Sequence, residues 1–279
     1  MTTGGSNGDA VPGGPVSDLI AVEDLTVRFG GVTAVSHVSL NVRSGESCVL
    51  IGPNGAGKTT LFDAIAGQNV PAAGHIAYLG ADITGRSALW RARHGIRRTF
   101  QRQQTFPGLT VEDNVLVALE WDDAHPVADI LGLPQRRRKE RGLRQEAEEV
   151  LDRVGLYGVR KEPAYRLPLG RSRLLELARV IAVRPMLVLL DEPTSGMEEA
   201  DITRLSSILD QLTSEHQAGI LLVEHDVDFA MRHAQRVYAM HLGEVIAEGT
   251  PDQVQANEHV IQVYLGGLQP DISGERIQP

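Results

Sequence analysis

The sequence has one cysteine, Cys48, so no disulfide can form within the chain, and its place in the apolar run Ser47–Ile51 reads as a small buried hydrophobe rather than a reactive thiol. No apolar stretch approaches the roughly 18 to 20 residues that a membrane-spanning helix needs, so action at a membrane would require another protein to hold this chain there. Positive charge is also short. Against 36 Asp and Glu stand 27 Lys and Arg, a formal net charge of -9 that repels polyanions and counts against broad nucleic-acid binding. Met1 to Val16 has neither the basic start nor the apolar run of a signal peptide. Residues 1–17, rich in Gly and Pro, are expected to form a disordered tail, and 268–279 a flexible one. The remaining composition, 42% hydrophobic and 23% charged, is that of a globular protein, so function has to be read from motifs.

The apolar pattern predicts the fold class. Ile20, Val22, Leu25, Val27 and Phe29, then Val35, Val38, Leu40 and Val42, alternate or cluster as strands do around the turn Gly30-Gly31, which predicts an antiparallel β-layer. Cys48-Val49-Leu50-Ile51 is apolar on both faces and leads through glycine-rich sequence to Leu61, Ile65 and Ala66 at helical spacing. Two further apolar runs, Met186–Leu190 and Ile220–Val223, also lead into helices, the first over Asp201–Ser214. Continuous apolar strands alternating with helices predict a parallel sheet covered on both faces. Val237–Met240 and Val245–Ala247 read as a closing hairpin through Leu242-Gly243. Between residues 110 and 184, Leu116, Leu119, Leu143, Val150, Leu151, Val154, Leu174, Leu175 and Leu177 follow helical spacing. The expected fold is therefore α/β: a mainly parallel sheet core over residues 18–267, with an N-terminal antiparallel β-layer and a helical sub-domain inserted at about 110–184. The basic run Arg136-Arg137-Arg138-Lys139 reads as a solvated helix face.

The strongest motif is Gly52-Pro53-Asn54-Gly55-Ala56-Gly57-Lys58-Thr59-Thr60, a phosphate-binding loop between a predicted strand and a predicted helix. Its glycines let successive backbone N–H groups curl around phosphate oxygens, and the helix starting near Lys58 aims its positive dipole end at them. Lys58 would reach the β- and γ-phosphates of a nucleotide, and Thr59 would give a hydroxyl to Mg²⁺. The run Leu187–Glu192 then delivers two adjacent carboxylates at the C-terminal end of a buried strand, where open α/β sheets bind ligands. Asp191 would hold Mg²⁺ directly or through water, and Glu192 would polarise the water that attacks the γ-phosphate. His225, just after the strand Ile220–Val223, falls on the same sheet edge and could hold that water against the γ-phosphate.

Together these motifs resemble the ATP-binding cassette (ABC) ATPases, a P-loop NTPase family, across Leu19 to Gly266. The resemblance implies ATP and Mg²⁺ as ligands. It also implies that Phe29 stacks on adenine, and that Gln101, in Thr99-Phe100-Gln101, is a lid glutamine touching the metal and the attacking water. Without the resemblance, Phe29 would be assigned to the core and Gln101 to a turn. Leu167-Pro168-Leu169-Gly170-Arg171 stands where the family signature caps the γ-phosphate bound on the opposite subunit. Gly170 is kept, but Pro168 replaces the commoner serine and Arg171 the commoner glutamine, so a hydroxyl hydrogen bond is missing. In Ser195-Gly196-Met197-Glu198, the loop resembling the one that crosses the dimer interface, Glu198 replaces the commoner aspartate. Slower or less tightly coupled hydrolysis is expected, with unchanged turnover in Arg171→Gln and Glu198→Asp as the contrary result.

Within the family, the Leu-Pro-x-Gly signature, Val223-Glu224-His225-Asp226, the Gly196-Met197 loop and the ending from Ala247-Glu248-Gly249-Thr250-Pro251 through Val263-Tyr264-Leu265-Gly266 resemble the ATPases of branched-chain amino-acid importers. That resemblance implies a second cassette, identical or paralogous, transmembrane permease subunits, a solute-binding protein, and a peripheral place on the cytoplasmic face of the membrane. No nucleic-acid partner is implied. Lipopolysaccharide-export ATPases share a similar ending but usually retain the serine-containing signature. A soluble ABC protein of DNA repair or translation would usually carry two cassettes or a long coiled coil. A regulatory module that no longer hydrolyses would not need Lys58, Asp191, Glu192 and His225 together.

Overall fold

The computed structural model describes residues 18–99, 105–122 and 135–266. Both expected tails and Gln101 lie outside the described residues. In chain order β1 (Asp18–Phe29) and β2 (Val32–Arg43) are followed by β3 (Ser47–Ile51), α1 (Lys58–Ile65), β4 (Ala73–Tyr78), β5 (Ala81–Asp82), α2 (Ala88–Arg93) and β6 (Ile96–Arg98). Then come α3 (Val111–Asp122), α4 (Gln135–Arg153) and α5 (Leu169–Ile181). The chain closes with β7 (Leu187–Asp191), α6 (Glu199–Ser214), β8 (Gly219–Val223), α7 (Val227–His233), β9 (Arg236–His241), β10 (Glu244–Gly249), α8 (Pro251–Gln255) and α9 (Glu258–Gly266).

Two sheets result. The antiparallel layer has the order β2-β1-β4-β5, and the second sheet runs β10-β9-β3-β8-β7-β6. Within the second sheet β3 pairs in parallel with β8 and β9, and β7 with β8 and β6, while β10 closes the edge antiparallel to β9. The expected hairpin over Leu242-Gly243 is this β9–β10 pair.

Every residue of β3, β7 and β8 is buried because both faces are covered. Alternate residues serve different cores, as a period of two demands. Cys48, Leu50, Leu187, Leu189, Leu221 and Val223 join α1 and the antiparallel layer in one cluster. Val49, Ile51, Val188, Leu190, Ile220 and Leu222 join residues of α3 to α9 in the other. The helices between residues 110 and 184 therefore share one apolar core with the sheet. Three strands had not been legible in the sequence: β4, β5 and β6, the last only three residues long with two of them arginine. Among the described residues no helix is long and apolar enough to cross a membrane.

Candidate active site

The loop between β3 and α1 is shaped by close backbone approaches that only glycine permits. A Cβ on Gly57, whose φ is 100°, would lie 2.4 Å from the Ala34 carbonyl oxygen, and one on Gly52 would lie 2.3 Å from that of Met240. Gly57 is also the N-cap of α1, with no side-chain cap and no acidic residue in the first turn. The first N–H groups of the helix and its positive dipole end thus remain available to an anion. Lys58 is buried and folds back on the loop, its Nζ donating to the carbonyls of Gly52 at 2.7 Å and Pro53 at 3.0 Å. Burial pushes its ammonium below the ordinary lysine pKa, opposed by the carboxylates of Glu192 and Asp191.

Strands β7 and β8 end together, in register through Asp191 and Val223, so the residues beyond them face one another. Asp191 is wholly buried and accepts from Arg98 Nη2 at 3.1 Å. Arg98 also pairs with Asp63 of α1. Burial still raises the Asp191 carboxyl pKa, with Arg98 opposing. Its Oδ1 is buried without a hydrogen-bond partner among the described residues. Glu192 follows with φ at 49°, left-handed backbone that a non-glycine residue adopts rarely. Its Oε1 lies 2.8 Å from His225 Nε2. Glu192 and His225 line one open cleft of about 480 Å³ with Asn54, Gly55, Ala56, Gly57, Lys58, Thr59 and Thr60. Residues as far apart in sequence as Asn54 and His225, 171 positions, thus line a single cleft.

The ABC transporter family matches residues 35–195, over half of the chain. The chain belongs to the ABC transporter family. As an ATP-binding cassette it is of the class of ATPase subunits of these transporters. The branched-chain amino acid ATP-binding cassette family matches residues 244–267, which include β10, α8 and α9. A high-affinity branched-chain amino acid transport ATP-binding protein of Pseudomonas aeruginosa is 36% identical over 249 residues, covering 89% of this chain and 98% of that protein. One of Salmonella typhimurium, with the same description, is 37% identical over the same length and shares. Among solved structures, a nucleotide-free ATP-binding cassette of an ABC transporter aligns at 25% identity with a TM-score of 0.77, covering 89% of this chain and 99% of the other. The ADP conformation of such a cassette gives 26% identity and the same TM-score, covering 90% and 99%.

In this cassette Phe29 ends β1 with 51% of its surface exposed, beside Val32, Thr33 and Ala34 of the cleft wall, which is not a core position. Pro53 completes the loop and sits half-buried at its start. Gly170 does not line the cleft of its own chain. It lies in the first turn of α5, buried so closely that a Cβ would meet Asp201 Oδ2 at 2.7 Å and Met197 Cα at 3.1 Å. The signature segment and the Ser195–Glu198 loop are therefore packed against each other. Pro168 is the N-cap of α5 and Glu198 that of α6, neither with a side-chain cap, and Arg171 is exposed.

Sequence reading missed Arg98 and the partners of Glu224. Arg98 sits on an edge strand too short and too basic to be recognised, and only its place three residues before Gln101 pointed to the site. Glu224 was legible as part of a motif but not as a buried hub of hydrogen bonds.

Proposed function

We propose that this chain is the ATP-hydrolysing subunit of an importer of branched-chain amino acids or related small polar solutes. The observation that carries the catalytic part is the 2.8 Å approach of Glu192 to His225 in the cleft that also holds Lys58 and the glycine-rich loop. The triphosphate lies along the amides of Gly52 to Thr60, and Lys58 exchanges its loop carbonyls for β- and γ-phosphate oxygens. Glu192 accepts the proton of the attacking water while His225 holds that water against the γ-phosphate. The water oxygen bonds to the γ-phosphorus, the bond to the β–γ bridging oxygen breaks, and ADP and phosphate leave. Phe29 stacks on adenine, and Gln101 reaches the attacking water when the lid closes.

Thr59 and Asp191 would hold Mg²⁺. The orphaned, buried Oδ1 of Asp191 fits a hydrated cation, whose charge would offset that developing on the phosphate oxygens. Gly170 and the N-terminus of α5 face the nucleotide of a second cassette, so that two chains, identical or paralogous, close head to tail over two ATP molecules. Bound Mg-ATP touches both chains only in the closed state, which gives it the differential affinity needed to drive closure.

The closing motion reaches permease subunits through the segment from Gln101 to Leu109. A groove of about 280 Å³ lined by Arg97, Thr99, Trp121 and Arg179 includes Phe106 of that segment and supports a permease contact there. The working position is the cytoplasmic face of the membrane, with a solute-binding protein on the other side. The branched-chain amino acid transport named for these relatives and the match at residues 244–267 support the substrate class. Cells lacking this chain should lose uptake of labelled leucine, isoleucine and valine, and regain it with the wild-type chain but not with Lys58→Ala. Undiminished uptake would overturn the substrate class. Purified Lys58→Ala should bind ATP at least about tenfold more weakly, since a charge-assisted phosphate contact is lost, and unaltered affinity would contradict the loop's role.

A further inference from the structure

We propose that Glu224 is a positioning residue that fixes the spacing between Glu192 and His225. The proposal rests on the role just given to that pair. Ladder pairing of β7 and β8 ends at Asp191 and Val223, and the last backbone bond between the two strands runs from Glu192 N–H to Val223 O at 2.8 Å. Beyond that point the sheet no longer ties together the two loops that carry Glu192 and His225. Glu224, only 5% exposed, sits there. Its Oε1 accepts the backbone N–H of Thr194 at 2.8 Å and the Thr194 hydroxyl at 2.7 Å. Its Oε2 accepts the backbone N–H of His225 at 2.9 Å and, more weakly, that of Asp226 at 3.4 Å.

One carboxylate therefore clamps the loop two residues after Glu192 to the backbone of His225 itself. All four groups facing it are donors, so the site calls for an acceptor at both ends. A glutamine of nearly the same shape would turn an NH₂ toward N–H donors on one side and release that loop. Aspartate, one methylene shorter, would not span both. Because a misplacement of about 1 Å at a reacting group can cost on the order of 100-fold in rate, the consequence should appear in kcat rather than in nucleotide affinity.

The test uses the full chain with Mg-ATP, comparing wild type, Glu224→Gln, Thr194→Val and Glu192→Gln. The imidazole nitrogens are followed by NMR in histidine-labelled protein, with the His225 signal assigned from His225→Gln. Glu224→Gln should lower kcat about 10- to 100-fold with KM within about threefold, and should move the His225 signal toward its position in Glu192→Gln, where the imidazole no longer faces a carboxylate. Full kcat in Glu224→Gln, or a fall in kcat with the His225 signal unmoved, would overturn the proposal. If Glu224→Gln does not fold, Thr194→Val removes only the hydroxyl donor and carries the same readouts; an unmoved signal and unchanged kcat there would overturn it equally. Wild-type turnover in Glu192→Gln would instead remove Glu192 from its catalytic role, and the His225 signal would still decide the clamp.

Discussion

At the scale of the residue, Asp191 is wholly buried, and burial raises its pKa despite the neighbouring Arg98 guanidinium. A carboxyl whose folded pKa exceeds its unfolded value favours the folded state fully below the unfolded value, about 3.9, and loses that contribution as pH rises through the folded value. In the nucleotide-free protein the stability of wild type relative to Asp191→Asn should therefore fall as pH rises above about 4. Thermal unfolding of both across that range checks it, and a flat or rising difference would contradict it. Cys48 gives a second prediction. Its thiol is buried beside Glu46 and pushed up to about 12, so a thiol reagent at neutral pH should label it only after unfolding. Labelling of the native protein within minutes would refute this. Lys58, Asp191, Glu192 and His225 could be found in the sequence because each belongs to a pattern whose spacing is set by a strand, a loop and a helix. Arg98 and Glu224 act through contacts with residues far away in sequence, 93 positions apart for Arg98 and Asp191, and no local pattern marks them.

At the scale of the element, helix α1 must hold its N-terminus toward the cleft, and its other end is fixed by an unusual device. Arg91, wholly buried, donates from Nη1 to the carbonyls of Ala64 and Ile65 at the C-terminal end of α1, and from Nη2 to those of Ile83 and Thr84. The cation also complements the negative end of the helix dipole. Truncation in Arg91→Ala would strand several buried carbonyls and open a cavity, and should cost about 3 to 5 kcal/mol of stability, measurable by denaturant unfolding. At α6 a substitution has the opposite effect. Glu198 stands at the N-cap without capping, so Glu198→Asp should stabilise the fold by about 0.5 to 1 kcal/mol. The elements most legible in sequence were β3, β7 and β8, whose unbroken apolar runs reflect burial on both faces. Strand β6 was not, because an edge strand buries less, and of its two arginines Arg98 reaches Asp63 and Asp191 while Arg97 lies over the Trp121 ring.

At the scale of the whole molecule, two apolar clusters meet through the parallel sheet, one shared with α1 and the antiparallel layer, the other with the remaining long helices. The sheet edge between them gathers the glycine-rich loop, both carboxylates and His225, while the signature segment lies outside that cleft. On the proposed mechanism, that division leaves one chain with half of each site, and closure of two chains is the event that ATP controls. The direct measurement is phosphate release from Mg-ATP by wild type and Glu192→Gln, with gel filtration of both. The account predicts that Glu192→Gln binds ATP, elutes as a dimer only with the nucleotide, and releases phosphate about 100-fold more slowly or worse. Equal release from the two proteins would contradict it.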